Sequence, residues 1–350
     1  MFNKNLELNN LNIITTKKEW KKAINNARCF DFYHTYDYHN LSKLEGETSL
    51  LIEYKEEDKI IYLPLIKRKI KGTDYFDAIS VYGYAGPIQK NVNETFDNSK
   101  FLKALNLFFK NEKIVSVFSR LNPFIEYQET ILKNIGLIEE LSSVVNIDLT
   151  KDIDDQRTIF SKTTKRYINK CRKTFDFRIS NTEKDILTFI DLYYENMDRV
   201  NAKDTYYFSK DYFLNFINSE DFKTEVLLAI DKESGKIISA AMMVKTKNII
   251  QYHISGTRND YLNASPIRLL IDEMRLKGTK EGFRYFNLGG GLGNQEDELF
   301  RFKSSFSKDF KPFKVWKHIA NETVYEKLVQ KNNVKNIDSN FFPLYRLEKP

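Results

Sequence analysis

Apolar positions recur with two periods along the chain, and the periods alternate in a definite order. Trp20, Ala23, Ile24 and Ala27 share one side of a 3.6-residue repeat and predict a helix over residues 17–26. A second helical stretch, rich in Tyr and His, covers 31–44. Apolar runs at 49–54 and 59–65, parted by Lys55-Glu56-Glu57-Asp58, predict a β-hairpin. Pro64 lacks a donor and is expected at an edge or a bulge. A strand at 78–81 ends in Tyr82-Gly83-Tyr84-Ala85-Gly86-Pro87, followed by a helix at 101–110, a strand at 114–120, a helix at 127–135 and a strand at 144–149.

The acidic stretch 150–155 is the expected boundary, with Asp152 and Asp154 suited to the N-terminus of a helix over 155–173. Helices at 183–200 and 210–218 follow, then strands at 226–230, 237–245 and 249–255 around a Ser234-Gly235 turn. Ser265 is expected as an N-cap and Pro266 as the first residue of a helix that Gly278 and Gly282 end. A short strand at 284–288 runs into Gly289-Gly290-Gly291-Leu292-Gly293. Both halves read helices, then a hairpin, then strand–helix–strand, without a residue-level repeat. The expected fold class is α/β (α+β), with two αβ domains at 1–150 and 151–350, each a mixed twisted sheet flanked by helices.

Composition narrows the function classes. At 41% hydrophobic residues, 350 positions suffice for two sizeable cores. No apolar run reaches the roughly 20 residues of a membrane span, and residues 1–7 lack the apolar core of a signal peptide. Cys29 and Cys171 fit no metal spacing, so a reduced cytoplasmic setting without a metal is expected. Lys and Arg exceed Asp and Glu by 55 − 48 = 7. That excess suits a phosphorylated small molecule, an anionic membrane surface or RNA alike.

A strand that feeds a loop into a helix makes an anion site, because free N–H groups and the helix dipole converge there. The stretch from Arg258 to Arg268 has this form, and its two arginines could clamp an anion or be plain surface charge. Lys162, Arg166, Lys170 and Lys173 share one helix face opposite Phe160, Tyr167, Ile168 and Cys171; such a run is usually a solvated face, and a phosphate- or membrane-facing strip is the functional alternative. The glycine run fails the dinucleotide pattern, since Asn294 stands where Gly or Ala is required; close backbone approach to a ligand is the better use of it. Phe302 and Phe306 form an inward i, i+4 pair beside Lys303. His253 is a weak candidate base, because a lone strand histidine is more often structural. Tyr82, Tyr84 and Asp77 would be core aromatics and a turn carboxylate, or an acceptor pocket. Glu296, Asp297 and Glu298 suit the positive end of the Phe302 helix. His-Glu-x-x-His, Gly-x-Ser-x-Gly and paired-cysteine motifs are missing from the sequence.

Four segments carry a family resemblance: His253-Ile254-Ser255-Gly256, Ser265-Pro266-Ile267, Phe286-Asn287-Leu288-Gly289-Gly290-Gly291 and Phe302-Lys303-Ser304-Ser305-Phe306. In order and spacing they resemble the C-terminal half of the Fem-type transferases, a branch of the GNAT acyltransferase superfamily. That branch includes the aminoacyltransferases of peptidoglycan cross-bridges and shorter relatives found among surface-polysaccharide genes. Residues 80–87 resemble the end of the N-terminal half in the shorter relatives. The resemblance implies tandem GNAT-like domains and acyl transfer, with Lys303 at the catalytic site stabilising an oxyanion. It implies donor contacts from Arg258, Asn263, Ala264, Ser265, Ile267 and Arg268. Acceptor contacts are expected from Tyr82, Tyr84, Asp77, Arg166 and Gly289, Gly290 and Gly291. The chain lacks the long charged coiled-coil arm that cross-bridge enzymes often insert. Acyl-CoA, acetyl-CoA first, is therefore the expected co-substrate, and the amine of a nucleotide- or lipid-linked amino sugar the expected acceptor, in the cytoplasm or at the inner membrane face, with no DNA partner. An aminoacyl-tRNA-dependent cross-bridge transferase and a non-catalytic binding protein are the two alternatives.

Overall fold

The computed structural model describes residues 10–332 and 341–347. The segment 1–7, read above for a signal peptide, lies outside the described residues. The chain folds into two compact units, one formed by residues 1–141 with 313–350 and the other by 142–312. The expected division at 150 thus falls just inside the second unit, and the C-terminal tail does not stay with the half that precedes it. The reason is a strand at the end of the chain that pairs within the first unit.

The first unit opens with β1 (Leu11–Ile14) and α1 (Lys17–Asn26), whose start is capped by the Thr16 side chain. Trp20, Ala23 and Ile24 are buried on one face, and the Trp20 indole donates to the His34 carbonyl at 2.8 Å. The stretch expected as one helix at 31–44 is a 3-10 turn, Phe32–His34, and then α2 (Tyr36–Ser42). The hairpin of β2 (Thr48–Glu56) and β3 (Lys59–Lys69) follows in full register. Next come β4 (Phe76–Ile79), β5 (Ile88–Lys90), α3 (Ser99–Asn111), β6 (Ile114–Arg120) and α4 (Gln128–Leu132). Pro64 is at neither an edge nor a bulge. On the side of β3 away from β2, β5 covers Ile60–Tyr62 and β4 covers Ile66–Lys69, and Pro64 falls in the gap where no ladder donor is needed.

β7 (Leu137–Asp148) leads into the second unit. The helix expected over 155–173 is two helices, α5 (Ile153–Ile159) and α6 (Lys162–Thr174). Phe160 is extended, packs edge-on against Phe306 at 5.3 Å, and Ser161 caps α6 by accepting from the Thr164 N–H. Then come β8 (Phe175–Ile179), α7 (Glu183–Arg199), α8 (Lys210–Ile217), β9 (Lys223–Asp231), β10 (Ile237–Thr246), β11 (Ile249–Thr257), α9 (Ile267–Lys280), β12 (Tyr285–Gly289) and α10 (Glu298–Ser304). Gly278 does not end α9. It is buried within the helix, where a Cβ would stand 2.5 Å from the Ile250 Cδ1. Gly282, at φ +79°, follows the last turn.

β13 (Asp309–Ile319) begins in the second unit and pairs antiparallel with β6 in the first, from Val315 opposite Arg120 to Ile319 opposite Ser116; α11 (Glu322–Lys331) follows it. The strand order in the first unit is β1-β2-β3-β4-β6-β13, with β5 on β3. In the second it is β7-β12-β11-β10-β9-β8. Each is a mixed sheet, with parallel pairs β4–β6 and β11–β12 among antiparallel neighbours. Separate cores fill the units, one around Leu63, Phe101 and Trp316 and the other around Ile250, Leu270 and Phe286.

Candidate active site

The parallel pair in the second unit is short. Ile249 faces Tyr285, Ile250 faces Phe286 and Gln251 faces Asn287, and there the pairing ends. Past that point β11 stays against β10 but bulges. Met242 faces Ile254 and Met243 faces Tyr252, so His253 is the extra residue, held out of the ladder. Residues 249–251 are buried, whereas 252–255 are half-buried. The two strands therefore part into a fork whose β11 arm exposes an interrupted backbone.

The other arm runs into the glycine loop. Gly289 turns out of the strand at φ +79°. A Cβ on Gly291 would stand 1.8 Å from the Gln295 carbonyl, so only glycine fits there. Asp297 caps α10, accepting from the Phe300 N–H at 2.9 Å and from the Leu292 N–H at 3.1 Å. That cap sets the helix so that Lys303 points back to the loop, where its ammonium donates to the Gly290 carbonyl at 2.6 Å. Lys303 is only 8% exposed. Burial pushes its pKa down to about 8, against the pull of Asp297. The structure thus brings Lys303, Gly289, Gly290 and Gly291 together.

The loop expected to meet the donor is a 3-10 segment, Asn259–Ala264. Arg258, just before it, is tied within the unit: its Nε donates to the Ile237 carbonyl at 3.0 Å and its Nη1 stands 3.9 Å from the Glu195 carboxylate. Asn263 is exposed, and the Ala264 carbonyl accepts from the Cys171 thiol at 3.3 Å. Ser265 is not the N-cap. It sits in the left-handed region at φ 52°, ψ 50°, and Pro266 occupies the cap position, with no side-chain cap bond at this helix start. Ile267 is half-buried against the core. Arg268 is placed otherwise than a surface charge. Its Nη1 donates to the Thr164 and Ser305 hydroxyls at 2.6 and 2.9 Å, and its guanidinium lies 4.6 Å from the centre of the Phe302 ring. Its buried Nε has no partner, and among the described residues no carboxylate stands within ion-pair distance. Burial lowers its pKa.

His253 stacks on Phe216 at 5.1 Å, and burial lowers its pKa to about 4. Its ring is neutral at neutral pH and a weak proton acceptor, which reduces it to a wall of the fork. Lys162, Arg166, Lys170 and Lys173 are exposed on α6, with Arg166 over the neighbouring Tyr167 ring. In the first unit Tyr82 is 67% exposed with Arg120 over its ring, and Tyr84 packs edge-on against Tyr33 and Phe313. Asp77 is not a pocket carboxylate. It is 1% exposed and accepts from Arg68 at 2.8 Å, from Arg346 at 2.5 Å and from the Tyr345 hydroxyl at 3.2 Å, which ties down the C-terminal segment.

The sequence reading gave no role to two further features. Asn287 and Gln251 form a buried amide pair at the apex of the fork, Nδ2 to Oε1 at 2.8 Å. The residues lie 36 apart, and only the strand register could have joined them. A hollow of about 540 Å³ lined by Ile147, Lys151, Phe306, Lys308 and Asp309 includes none of the expected site residues. Among the described residues there is no cluster suited to a metal and no helix long and apolar enough to cross a membrane.

A β-hairpin, a bulged strand, a helix and a splayed parallel strand define a GNAT-type acyltransferase unit. Residues 159–304 match the acetyltransferase (GNAT) domain family. FemX is similar in structure over 90% of this chain and 99% of its own, at 14% identity and a TM-score of 0.69. A Bacteroides thetaiotaomicron protein of unknown function matches over 88% and 99%, at 14% identity and a TM-score of 0.58. The C-terminal domain of an Agrobacterium fabrum protein described as a lysylphosphatidylglycerol synthetase matches over 91% and 96%, at 13% identity and a TM-score of 0.55. No curated protein matches the chain in sequence. Residues 159–304 thus carry a GNAT acetyltransferase domain, and the chain shares the fold of FemX.

Proposed function

We propose that the chain is an N-acyltransferase that moves an acyl group from acyl-CoA, acetyl-CoA first, to the amine of a nucleotide- or lipid-linked amino sugar in envelope polysaccharide assembly. The observation that carries this reading is the fork at Gln251 and Asn287, with the bulge at His253 on one arm and Lys303 over the glycine loop on the other. The amine nitrogen attacks the thioester carbonyl carbon, the new C–N bond forms as charge moves to oxygen, and the C–S bond then breaks to release the thiolate. The amine proton leaves through water. An ammonium has three donors, and Lys303 commits one to Gly290, so two can meet the oxyanion. Such a preorganised donor is worth about 2.7–4 kcal/mol in the transition state. The Arg268 cation without a counter-ion and the start of α9 suit the donor's phosphates.

FemX and the lysylphosphatidylglycerol synthetase domain favour an envelope role. The reading places the enzyme in the cytoplasm, at the inner membrane face when the acceptor is lipid-linked. A second reading, transfer from aminoacyl-tRNA, is favoured by the exposed basic face of α6, a helix with no acidic residue. Thermal unfolding with acetyl-CoA, CoA and charged tRNA, each added separately, tests the pair. A ligand at about 100 times its dissociation constant adds roughly 2.7 kcal/mol. A response to charged tRNA alone would overturn the acyl-CoA reading.

A further inference from the structure

We propose that Asn287, pinned by Gln251, is the positioning residue of the acyl-transfer centre: it fixes where the fork opens and, through the glycine loop, where the Lys303 ammonium stands. The inference rests on the proposed role of Lys303. Its basis is a continuous run of short hydrogen bonds. Asn287 Nδ2 donates to Gln251 Oε1 at 2.8 Å, and Asn287 Oδ1 accepts from the Gly289 N–H at 2.8 Å. One residue on, the Gly290 carbonyl accepts from Lys303 Nζ at 2.6 Å. Asn287 is 0% exposed and Gln251 2%, so neither amide is kept there by solvent.

The position of the pair is as telling as its bonds. Gln251 and Asn287 are the last register partners of β11 and β12. Directly after Gln251 comes the bulge at His253. Directly after Asn287 the register of β12 against β7 also shifts, with Asn287 facing Asn146 and Gly289 facing Val145. A bulge therefore flanks the fork on each arm, and the amide pair stands at the last point where the two strands are still paired. A side chain with both a donor and an acceptor is required: the donor ties the arms, and the acceptor takes the Gly289 N–H as the chain turns out of the strand. An aliphatic residue could fill the space and do neither. Burial of the Lys303 ammonium means that its place is set by Gly290 rather than by water, so a displaced loop displaces the cation.

The test uses carboxylates at the two amides in the full chain. In Gln251→Glu, Asn287 still has an oxygen to donate to. In Asn287→Asp, the Gly289 N–H keeps its acceptor and the Gln251 amide can turn over to donate. The double variant sets two acceptors against each other. We expect each single variant to keep kcat within about tenfold, and the double to fall at least tenfold below the product of the single losses with KM within about twofold. Asn287→Asp also adds a negative charge near Lys303 and should move the alkaline limb of the pH–rate profile up by at least about 0.5 pH unit. Losses that simply multiply, or an unmoved limb, would overturn the inference. If the double variant does not fold, Gln251→Leu serves: a lower kcat at unchanged KM supports the clamp, and a raised KM alone overturns it. If the unaltered protein transfers no acyl group, the parent reading fails by itself. The inference is then judged by NMR titration of the Lys303 side chain, whose midpoint must rise in Asn287→Asp.

Discussion

Each unit holds one parallel strand pair after a hairpin, β4 with β6 and β11 with β12, and the two pairs end in opposite ways. In the first unit the chain returns to seal the gap. Ser80 N–H donates to the Phe118 carbonyl at 2.9 Å, the Arg120 N–H donates to the Ser80 hydroxyl at 3.0 Å, and Ala85 bridges to Leu121. Gly83 lets this return lie flat on Tyr33, where a Cβ would come within 1.9 Å of the ring. In the second unit the register of β11 with β12 ends at Gln251 and Asn287, and among the described residues no further register pair joins these two strands. The helices that follow differ too. At the start of α3, the Asp97 carboxylate already accepts from the Ser99 N–H at 3.0 Å, and Asn98 spends its amide on the Ile131 and Lys133 carbonyls. The first turn of α9 has no acid, and among the described residues Arg268 has no counter-ion there. One layout thus ends in a closed fork in one unit and an open one in the other, and the difference lies in a handful of side chains at the fork.

The largest expected difference between the units is in acid. All four histidines have pKa values lowered by burial, His34 to about 4, His39 to about 3, and His253 and His318 to about 4. Three belong to the first unit. Their folded values lie below the ordinary 6.5, so the folded state binds fewer protons than the unfolded one; the stability is complete above pH 6.5 and is lost as pH falls toward about 4. The first unit should lose it about three times as steeply. Hydrogen-exchange mass spectrometry from pH 7 to 4 should show protection vanish first in residues 10–141. Earlier loss in 142–312 would break the comparison.

Lys303→Ala comes next. Removing the cation from the open fork should lower kcat by about 10²–10³-fold while the fold is retained. A loss below tenfold would mean that the lysine only pins the glycine loop. Asp77→Ala probes the closed unit instead. It strips the acceptor from Arg68, Arg346 and Tyr345. Loss of one partner of a buried pair costs about 3–5 kcal/mol, and the part-exposed arginines reduce that to roughly 2–3. Calorimetry should show that drop with no change in acceptor KM. A raised KM would return Asp77 to the substrate site.

The elements legible in the sequence are those whose periodicity is local. α1 and β6 have the expected bounds, and the hairpins of both units follow from apolar runs around polar turns. The break at Phe160 and Ser161 was hidden because apolar residues continue at helical spacing through it. Ser265 before Pro266 reads as a cap, yet tertiary packing of the 3-10 loop drives it to positive φ. β13 was missed because its pairing partner, β6, lies nearly 200 residues earlier, and β1, β5 and β8 are short. The role given to Lys303 was reached through resemblance, whereas the glycine run stood out by itself. The Asn287–Gln251 pair and the hydroxyl cradle of Arg268 were out of reach, because each exists only once separate strands and helices are packed.

Arg268→Gln tests the smallest difference, the charge at the helix start. Gln keeps a donor for the Thr164 and Ser305 hydroxyls and removes the cation that lacks a counter-ion. The donor KM should rise about tenfold, or roughly 1.4 kcal/mol, with kcat little changed. Arg268→Lys should fall between the two, since an ammonium keeps the charge without the planar group that lies over the Phe302 ring. The matched change in the closed unit, Asp97→Asn, frees that helix start of its own carboxylate and should leave donor KM alone, because Ser80 and Ala85 still seal the fork beside it. If Asp97→Asn shifted donor KM as far as Arg268→Gln does, the open fork would not be what selects the donor's unit, and the helix termini alone would have to carry that choice.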